Sequence, residues 1–323
     1  MFIKLLVHLS RIFVGAMFIF SGFVKLVDPI GSQYKFEEYF GESVLNLEFL
    51  IPYALPFSIL LIMVEIMLGV MLLLGYKSKF TMWSLLGITT LFLFLTWYSA
   101  YYNKVTDCGC FGDAIKLTPW ETFWKNVILI GLILLLIIRV KDIKEILSKK
   151  VTVAFTLIAL VSFSYITFHV LNHLPVIDFR AYAVGKNIPE GMEFPEDPNE
   201  LAPIHDFMLE DTQNDLAPQI LAMDKVMLVI VYNADKSNEK GFAAIKKATD
   251  MAINKGYNVY GVSASFEDDL ILIQNRYNLP FDFLFCDETT LKTMIRANPG
   301  IMTLSKGTVT GKWNWNDTDD IKF

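Results

Sequence analysis

Hydrophobic positions follow two regimes along this chain. Up to about residue 174 they form long, nearly unbroken runs. Beyond that point they form short runs separated by polar and turn-forming residues. Residues 80–103 and 151–174 contain no Asp, Glu, Lys or Arg, and each exceeds the roughly 20 residues a helix needs to cross the hydrocarbon. Residues 56–75 are interrupted only by Glu65, and residues 5–27 only by His8, Arg11 and Lys25. The apolar run 126–138 is shorter, but Thr118-Pro119-Trp120-Glu121 stands before it. A threonine followed three residues later by glutamate, with proline at the first helical position, is a capping-box start, so this helix is expected from Pro119. The pattern predicts five membrane spans. Arg11 breaks the first run and no small-x-small site follows it, which argues against a cleaved leader.

Basic residues in short connections set the expected orientation. Lys77 and Lys79 lie between spans two and three. Arg139, Lys141, Lys144, Lys149 and Lys150 lie between spans four and five. Both connections are expected inside. Alternation then puts the N-terminus in the cytoplasm, and loops 28–55 and 104–118 and everything after 174 outside.

The second regime opens with Pro175, Pro189, Pro195, Pro198 and Pro203, read as a linker or extended arm over residues 175–203. Strands are expected at 226–232, 259–262, 281–285, 300–304 and 309–313, the last two as a hairpin around Ser305-Lys306-Gly307. Helices are expected at 238–254, where Phe242, Ile245, Ala248 and Ala252 share a face, and at 267–278 and 289–297. This order resembles the thioredoxin fold. The resemblance implies a cis-proline at Pro299 and a Cys-x-x-Cys after the first strand. That position here reads Asn233-Ala234-Asp235-Lys236, with no sulfur. The expected organisation is a four-helix membrane domain (1–140), a cytoplasmic loop and fifth span (141–174), a linker (175–203) and an α/β thioredoxin-like domain (204–323).

Composition agrees with this division: 54% hydrophobic residues and a mean hydropathy of +0.42 are too apolar for one soluble domain. The net charge of −6 offers no footprint for nucleic acid. Three cysteines exclude a disulfide-stapled fold. Two of them, Cys108 and Cys110, fall within the outer loop 104–118. Thiols outside the cytoplasm tend to be oxidised. A disulfide across Cys-x-Cys closes a small, strained and therefore reducible ring, which Gly109 eases. Such a pair suits electron transfer better than stapling. Cys286 has no partner within its domain and reads as a small buried residue.

Glu65 lies mid-span, where charge is costly. Its depth differs from that of Lys25 by roughly 8 Å at 1.5 Å per residue, a gap that a lysine side chain narrows. Two readings stand: an interhelical ion pair that fixes the bundle, and a proton relay to the cysteines. His169 and His173, at i and i+4, share a helical face at the outer level. With Cys108 and Cys110 they would make a zinc-type set, although Cys-x-Cys is not the usual ligand spacing. Trp97, Tyr98, Tyr101, Tyr102, Trp120 and Trp124 read as an aromatic belt. Trp313 and Trp315 either pack on the last strand or dock on the membrane.

The motifs Ser21-Gly22-Phe23-Val24-Lys25-Leu26 with Asp28-Pro29, Glu65 with Leu68-Gly69, and Cys108-Gly109-Cys110-Phe111-Gly112 resemble the DoxX/MauE group of membrane proteins. The last of them points to MauE. The stretch from Cys286 to Gly300 resembles DoxX-like proteins of Bacteroidetes. The resemblance implies a multi-pass protein of a bacterial inner membrane and thiol–disulfide chemistry in the periplasm at Cys108 and Cys110. It also implies a protein partner there, and a four-helix core similar to that of vitamin K epoxide reductase. Those relatives work beside a quinone with a Cys-x-x-Cys, a motif missing here, so the cofactor is left open. A second expectation is a non-catalytic membrane subunit whose sulfur-free domain binds a periplasmic partner.

Overall fold

The computed structural model describes residues 2–105, 109–195, 202–205, 207–212 and 214–323. They form two compact units that divide between Leu171 and Asn172.

The first unit is helical. Helices α1 (Phe2–Val27), α3 (Ala54–Leu74, preceded by a 3-10 turn from Glu48), α4 (Ser78–Tyr102), α5 (Pro119–Ile138) and α6 (Lys149–Asn172) are joined by a short α2 (Pro29–Phe40). Five of these, counting the turn with α3, are long and apolar enough to cross a membrane. Large apolar side chains such as Phe20, Trp83, Ile128 and Phe155 cover their outer surface, as hydrocarbon solvent requires.

Core packing pairs α1 with α3 and α4 with α5. The α1–α3 crossing is close because it runs over glycines. A Cβ on Gly15 would lie 2.5 Å from Leu73, one on Gly69 would lie 2.9 Å from the Gly15 carbonyl, and one on Gly22 would lie 2.3 Å from Ile66. Small residues are how helices gain van der Waals contact where no hydrophobic effect drives them together. α6 is peripheral: among its residues only Thr152, Thr167 and Val170 are buried.

Three helix ends have an identifiable cause. Thr118 and Glu121 form the capping box anticipated for α5, with Thr118 N donating to Glu121 Oε2 at 2.8 Å and Glu121 N to Thr118 Oγ1 at 3.3 Å. Asp28 caps α2 through Gly31 N at 3.0 Å. Gly75, at φ 74°, closes α3. Arg11 joins this last cap: its guanidinium donates to the carbonyls of Leu72, Leu73 and Lys144 at 2.9, 2.7 and 3.2 Å. A cation over a helix C-terminus meets both unpaired carbonyls and the negative end of the dipole. The residue that breaks the first apolar run therefore ties the two basic connections to one end of the bundle.

The second unit is a five-stranded mixed sheet of β1 (Val226–Val231), β2 (Asn258–Ser263), β3 (Phe283–Phe285), β4 (Gly300–Ser305) and β5 (Thr308–Asn314), in the order β3-β2-β1-β4-β5. β1 pairs parallel with β2, and β2 with β3. β4 runs antiparallel between β1 and β5. Short helices α7 (Ile188–Met192) and α8 (Ala217–Leu221) precede the sheet. α9 (Gly241–Asn254), α10 (Glu267–Tyr277) and α11 (Glu288–Met294) connect its strands. All six β1 residues are buried, as befits a central strand covered on both faces. Phe242, Ile245, Ala248 and Ala252 of α9 are fully buried against it. The β4–β5 turn has positive φ at both Lys306 and Gly307, the type I′ geometry that two-residue hairpins favour. The arrangement is consistent with a thioredoxin-like domain.

Residues 175–195 are not a plain tether. Tyr182 and Ile188 are buried in the core on one face of the sheet. Gly185 N and Val309 N exchange hydrogen bonds with Val309 O and Lys186 O at 2.8 and 2.9 Å, and Ile188 N donates to Gly307 O at 2.9 Å. At the opposite edge, Glu210 and Phe285 exchange bonds of 2.9 and 2.8 Å. Residues 185–188 and Glu210 thus cover the two edges of the sheet, which would otherwise template pairing with other chains. Proline spacing hid the pairing of 185–188, because its partners in β5 and the turn before it come more than a hundred residues later.

Candidate functional site

The close α1–α3 crossing brings charged residues into the bundle interior. Lys25 Nζ lies 2.9 and 3.1 Å from the two carboxylate oxygens of Glu65, and both side chains are buried. The expected difference in depth is spanned by the lysine stem. One turn earlier on α1, Ser21 completes the group. Lys25 Nζ donates to Ser21 Oγ at 2.8 Å, and Ser21 Oγ lies 2.8 Å from the Cys110 carbonyl and 3.3 Å from Glu65 Oε2. The buried pair and the cysteine loop therefore share one hydroxyl.

Cys108 lies outside the described residues. Cys110 is half-buried, in a turn closed by Gly112 N donating to Gly109 O at 3.2 Å. Gly109 and Gly112 have φ of 60° and 50°, the left-handed region where a side chain is strained. A Cβ on Gly109 would also meet the Lys35 stem at 2.8 Å. The Phe111 ring sits 5.4 Å from that of Phe20, and the Lys125 ammonium stands 4.5 Å over it, a cation–π contact.

Two hollows meet at Cys110. A small one is lined by Ser21, Glu65, Thr89, Lys125 and Asn126. A larger one lies between α2 and α4 and is lined mainly by Phe36, Tyr39, Leu61, Phe92 and Leu95, with Lys25 and Lys35 beside Cys110. Ser21 has no role in the sequence reading, although its i, i+4 spacing to Lys25 places the two on one face. α2 is also absent from that reading, and Asp28-Pro29 was its start signal.

The histidine arrangement differs from expectation. α6 ends at Asn172, so His173 falls beyond the helical face that carries His169. His173 Nδ1 instead lies 2.6 Å from Asp317 Oδ1, within the second unit. Among the described residues no three His, Cys, Asp or Glu side chains are placed to hold a metal ion together.

In the second unit, the Asn298–Pro299 peptide bond is cis and its loop abuts the segment that replaces Cys-x-x-Cys. Asn298 Nδ2 donates to Asn233 O at 2.7 Å, and Asn238 N donates to Asn298 O at 2.9 Å. Trp313 and Trp315 pack against the core on the α9 side of the sheet. Cys286 is buried. Its burial first, then the Asp287 carboxylate, push the thiol up to about 12. Cys286 is expected to resist alkylation at neutral pH in the folded protein and to react only after unfolding, as mass spectrometry of iodoacetamide-treated samples would read.

A second buried charge cluster lies in this unit. Arg180 grips Asp178 with Nε and Nη2 at 2.6 and 2.9 Å and reaches Thr293 O at 3.2 Å. Lys312 Nζ takes the same carboxylate at 2.6 Å. The Arg180 and Lys312 side chains are each 2% exposed, so one carboxylate serves two buried cations. Burial, then Arg180, bring Lys312 down to about 8 despite the attraction of Asp178. Burial works against the Asp178 charge, yet Arg180 and Lys312 outweigh it and hold that carboxyl below its ordinary range.

Fold and site together define a multi-pass membrane protein: a helical bundle with a polar, cysteine-bearing interior, followed by an α/β domain. Residues 3–139, which take in α1 to α5, match the model of the family of methylamine utilisation protein MauE. Protein TlpB of Flavobacterium psychrophilum is 23% identical over 241 residues, which cover 70% of this chain and 56% of that protein. At 70% the likeness exceeds either unit, so it runs through both. The chain spans about half the length of this curated relative.

Proposed function

We propose that the protein is a membrane thiol–disulfide relay, with Cys108 and Cys110 cycling between dithiol and disulfide on the periplasmic side of a bacterial inner membrane. The observation that carries the reading is the placement of Cys110: its peptide is hooked to Ser21 over the buried Lys25–Glu65 pair, at the lip of an apolar pocket. Packing alone does not call for charge, hydroxyl and thiol together within a bilayer. Both basic connections lie at the Arg11 end of the bundle, which supports an inward-facing assignment for that end under the positive-inside rule. In this orientation the N-terminus is cytoplasmic, and the C-terminal domain presents or binds a periplasmic protein partner.

The chemistry is an exchange. A partner thiolate attacks the Cys108–Cys110 disulfide and one loop sulfur leaves as thiolate. The partner's second thiolate then resolves the mixed disulfide, leaving two electrons on the loop pair. As an enzyme this would be a thiol–disulfide oxidoreductase. The apolar lining of the pocket between α2 and α4 fits a quinone, which would supply a two-electron, two-proton acceptor when bound. Phe36, Phe92 and Leu95 would hold its ring and tail, and Lys35 would lie beside its oxygens.

The test is trapping. Cys110→Ser should accumulate a mixed disulfide between Cys108 and a periplasmic protein, seen as a reducible adduct on non-reducing gels. If both thiols of the wild-type protein stay free in an oxidising periplasm and the double serine variant keeps full activity, the relay reading fails. The sulfur-free Asn233–Lys236 segment favours a second reading, a non-catalytic scaffold. That reading instead requires a co-purifying partner that survives loss of both cysteines.

A further inference from the structure

We infer that Ser21 is a positioning residue for the thiol pair, holding the Cys110 peptide against α1 and thereby setting the balance between dithiol and disulfide. The inference rests on the redox reading of Cys108 and Cys110. It goes beyond that reading by assigning the control of the pair to a hydroxyl one helical turn from Lys25.

The argument begins with one proton. A serine hydroxyl has a single hydrogen to give. Lys25 donates to Ser21 Oγ at 2.8 Å, so the oxygen acts as acceptor on that side and its own hydrogen is free for another partner. Two acceptors compete, the Cys110 carbonyl at 2.8 Å and Glu65 Oε2 at 3.3 Å, and the shorter contact takes it. A hydroxyl that accepts from an ammonium is polarised and donates more strongly in a low-dielectric interior. The Lys25 charge is thus felt at the Cys110 peptide through Ser21.

The next residue is held by the same helix: the Phe111 ring packs on Phe20, the neighbour of Ser21. Cys110 is therefore pinned to α1 at its carbonyl and through the residue that follows it. Gly109, the residue before it, has a left-handed φ. The Cys110 sulfur is unbridged here, and we assign the Ser21 hydrogen bond to the reduced form. Closing a Cys-x-Cys ring demands its own backbone angles, and the hydrogen bond resists that change.

The experiment equilibrates the full-length, detergent-solubilised protein with mixtures of reduced and oxidised glutathione. Thiols are quenched with an alkylating reagent and the two states are counted by mass. The reaction balances: the dithiol and one oxidised glutathione give the loop disulfide and two reduced glutathiones. Ser21→Ala should shift the equilibrium toward the disulfide by about 3- to 10-fold, the worth of one net hydrogen bond. Ser21→Thr, which keeps the hydroxyl, should stay near wild type. Lys25→Met/Glu65→Met keeps Ser21 but removes the polarising charge, and should fall between wild type and Ser21→Ala. This double variant decides the matter if Ser21→Ala does not fold. An unmoved midpoint, or a shift toward the dithiol, in a folded Ser21→Ala or in the double variant overturns the positioning role. If the wild-type pair does not titrate at any glutathione ratio, the redox reading itself is overturned.

Discussion

Glu65→Gln is expected to destabilise the membrane bundle by about 3–5 kcal/mol, the cost of leaving one member of a buried ion pair uncompensated. The Lys25 ammonium would then sit in a nearly dry interior with only neutral partners, Ser21 and the new amide. Lys25→Met should cost a similar amount, because it strands the Glu65 carboxylate. Lys25→Met/Glu65→Met should cost far less than either single change, since replacing both charges with apolar groups of similar volume is often close to neutral. Unfolding of the detergent-solubilised protein by heat or by titrated dodecyl sulfate measures the three variants. Strong non-additivity between the two positions is the signature of a direct pair. Wild-type stability in Glu65→Gln, coupled to lost thiol turnover, would instead make the carboxylate a proton relay. The two roles for this residue thus separate on a single pair of readings.

How much of this site is legible in the sequence depends on how local the interactions are. The five spans are visible because length and hydropathy are local properties, and the bilayer sets their threshold. The α5 start is visible for the same reason: Thr118 and Glu121 are three residues apart, and the capping box is complete within one turn. The α9 core face follows from a period of 3.6, and the β4–β5 turn from a glycine that tolerates positive φ. The Lys25–Glu65 contact could be anticipated only as one of two readings, because intramembrane charges generally pair.

Arg11 could not be read, since its partners are backbone carbonyls 61 to 133 residues away and a carbonyl has no sequence identity. The arm over 180–188 hid among prolines for a similar reason: its bonds go to β5 and the turn before it. Ser21 was present in the motif that carries the MauE resemblance, but its chemistry depends on where the Cys110 carbonyl comes to rest. His173 was drawn onto α6 by spacing alone. Its carboxylate partner, Asp317, comes 144 residues later.

Asp178→Ala should be the most damaging single change in the α/β domain, at about 3–5 kcal/mol. Arg180 and Lys312 would remain buried with no counter-charge, and the arm that covers the β5 edge would lose its anchor. The wild-type cluster also makes a signed prediction about pH. Lys312 has a folded value near 8 against an ordinary 10.5, so between those values the unfolded chain binds the extra proton. Stability then rises with pH across that window. The Lys312 contribution is fully present above 10.5 and is lost as pH falls to 8. Cys286 acts in the opposite sense. Its folded value near 12 stands above an ordinary 9.0, so its contribution is present below 9 and is lost as pH rises toward 12. The two effects oppose each other between 9 and 10.5, and the raw stability profile should be nearly flat there. Asp178 adds a loss at acid pH, because its carboxylate is stabilised on folding. The decisive measurement is therefore a difference. Stability of Lys312→Met, followed by denaturant unfolding of the whole protein from pH 7 to 11, should lack the rise from 8 that the wild type shows. Cys286→Ala should keep rising from 9 to 10.5, where the wild type is flat. A wild-type curve that declines steadily from pH 8, with Lys312→Met running parallel to it, would mean that Asp178 satisfies both cations and that no excess positive charge is buried beneath the arm.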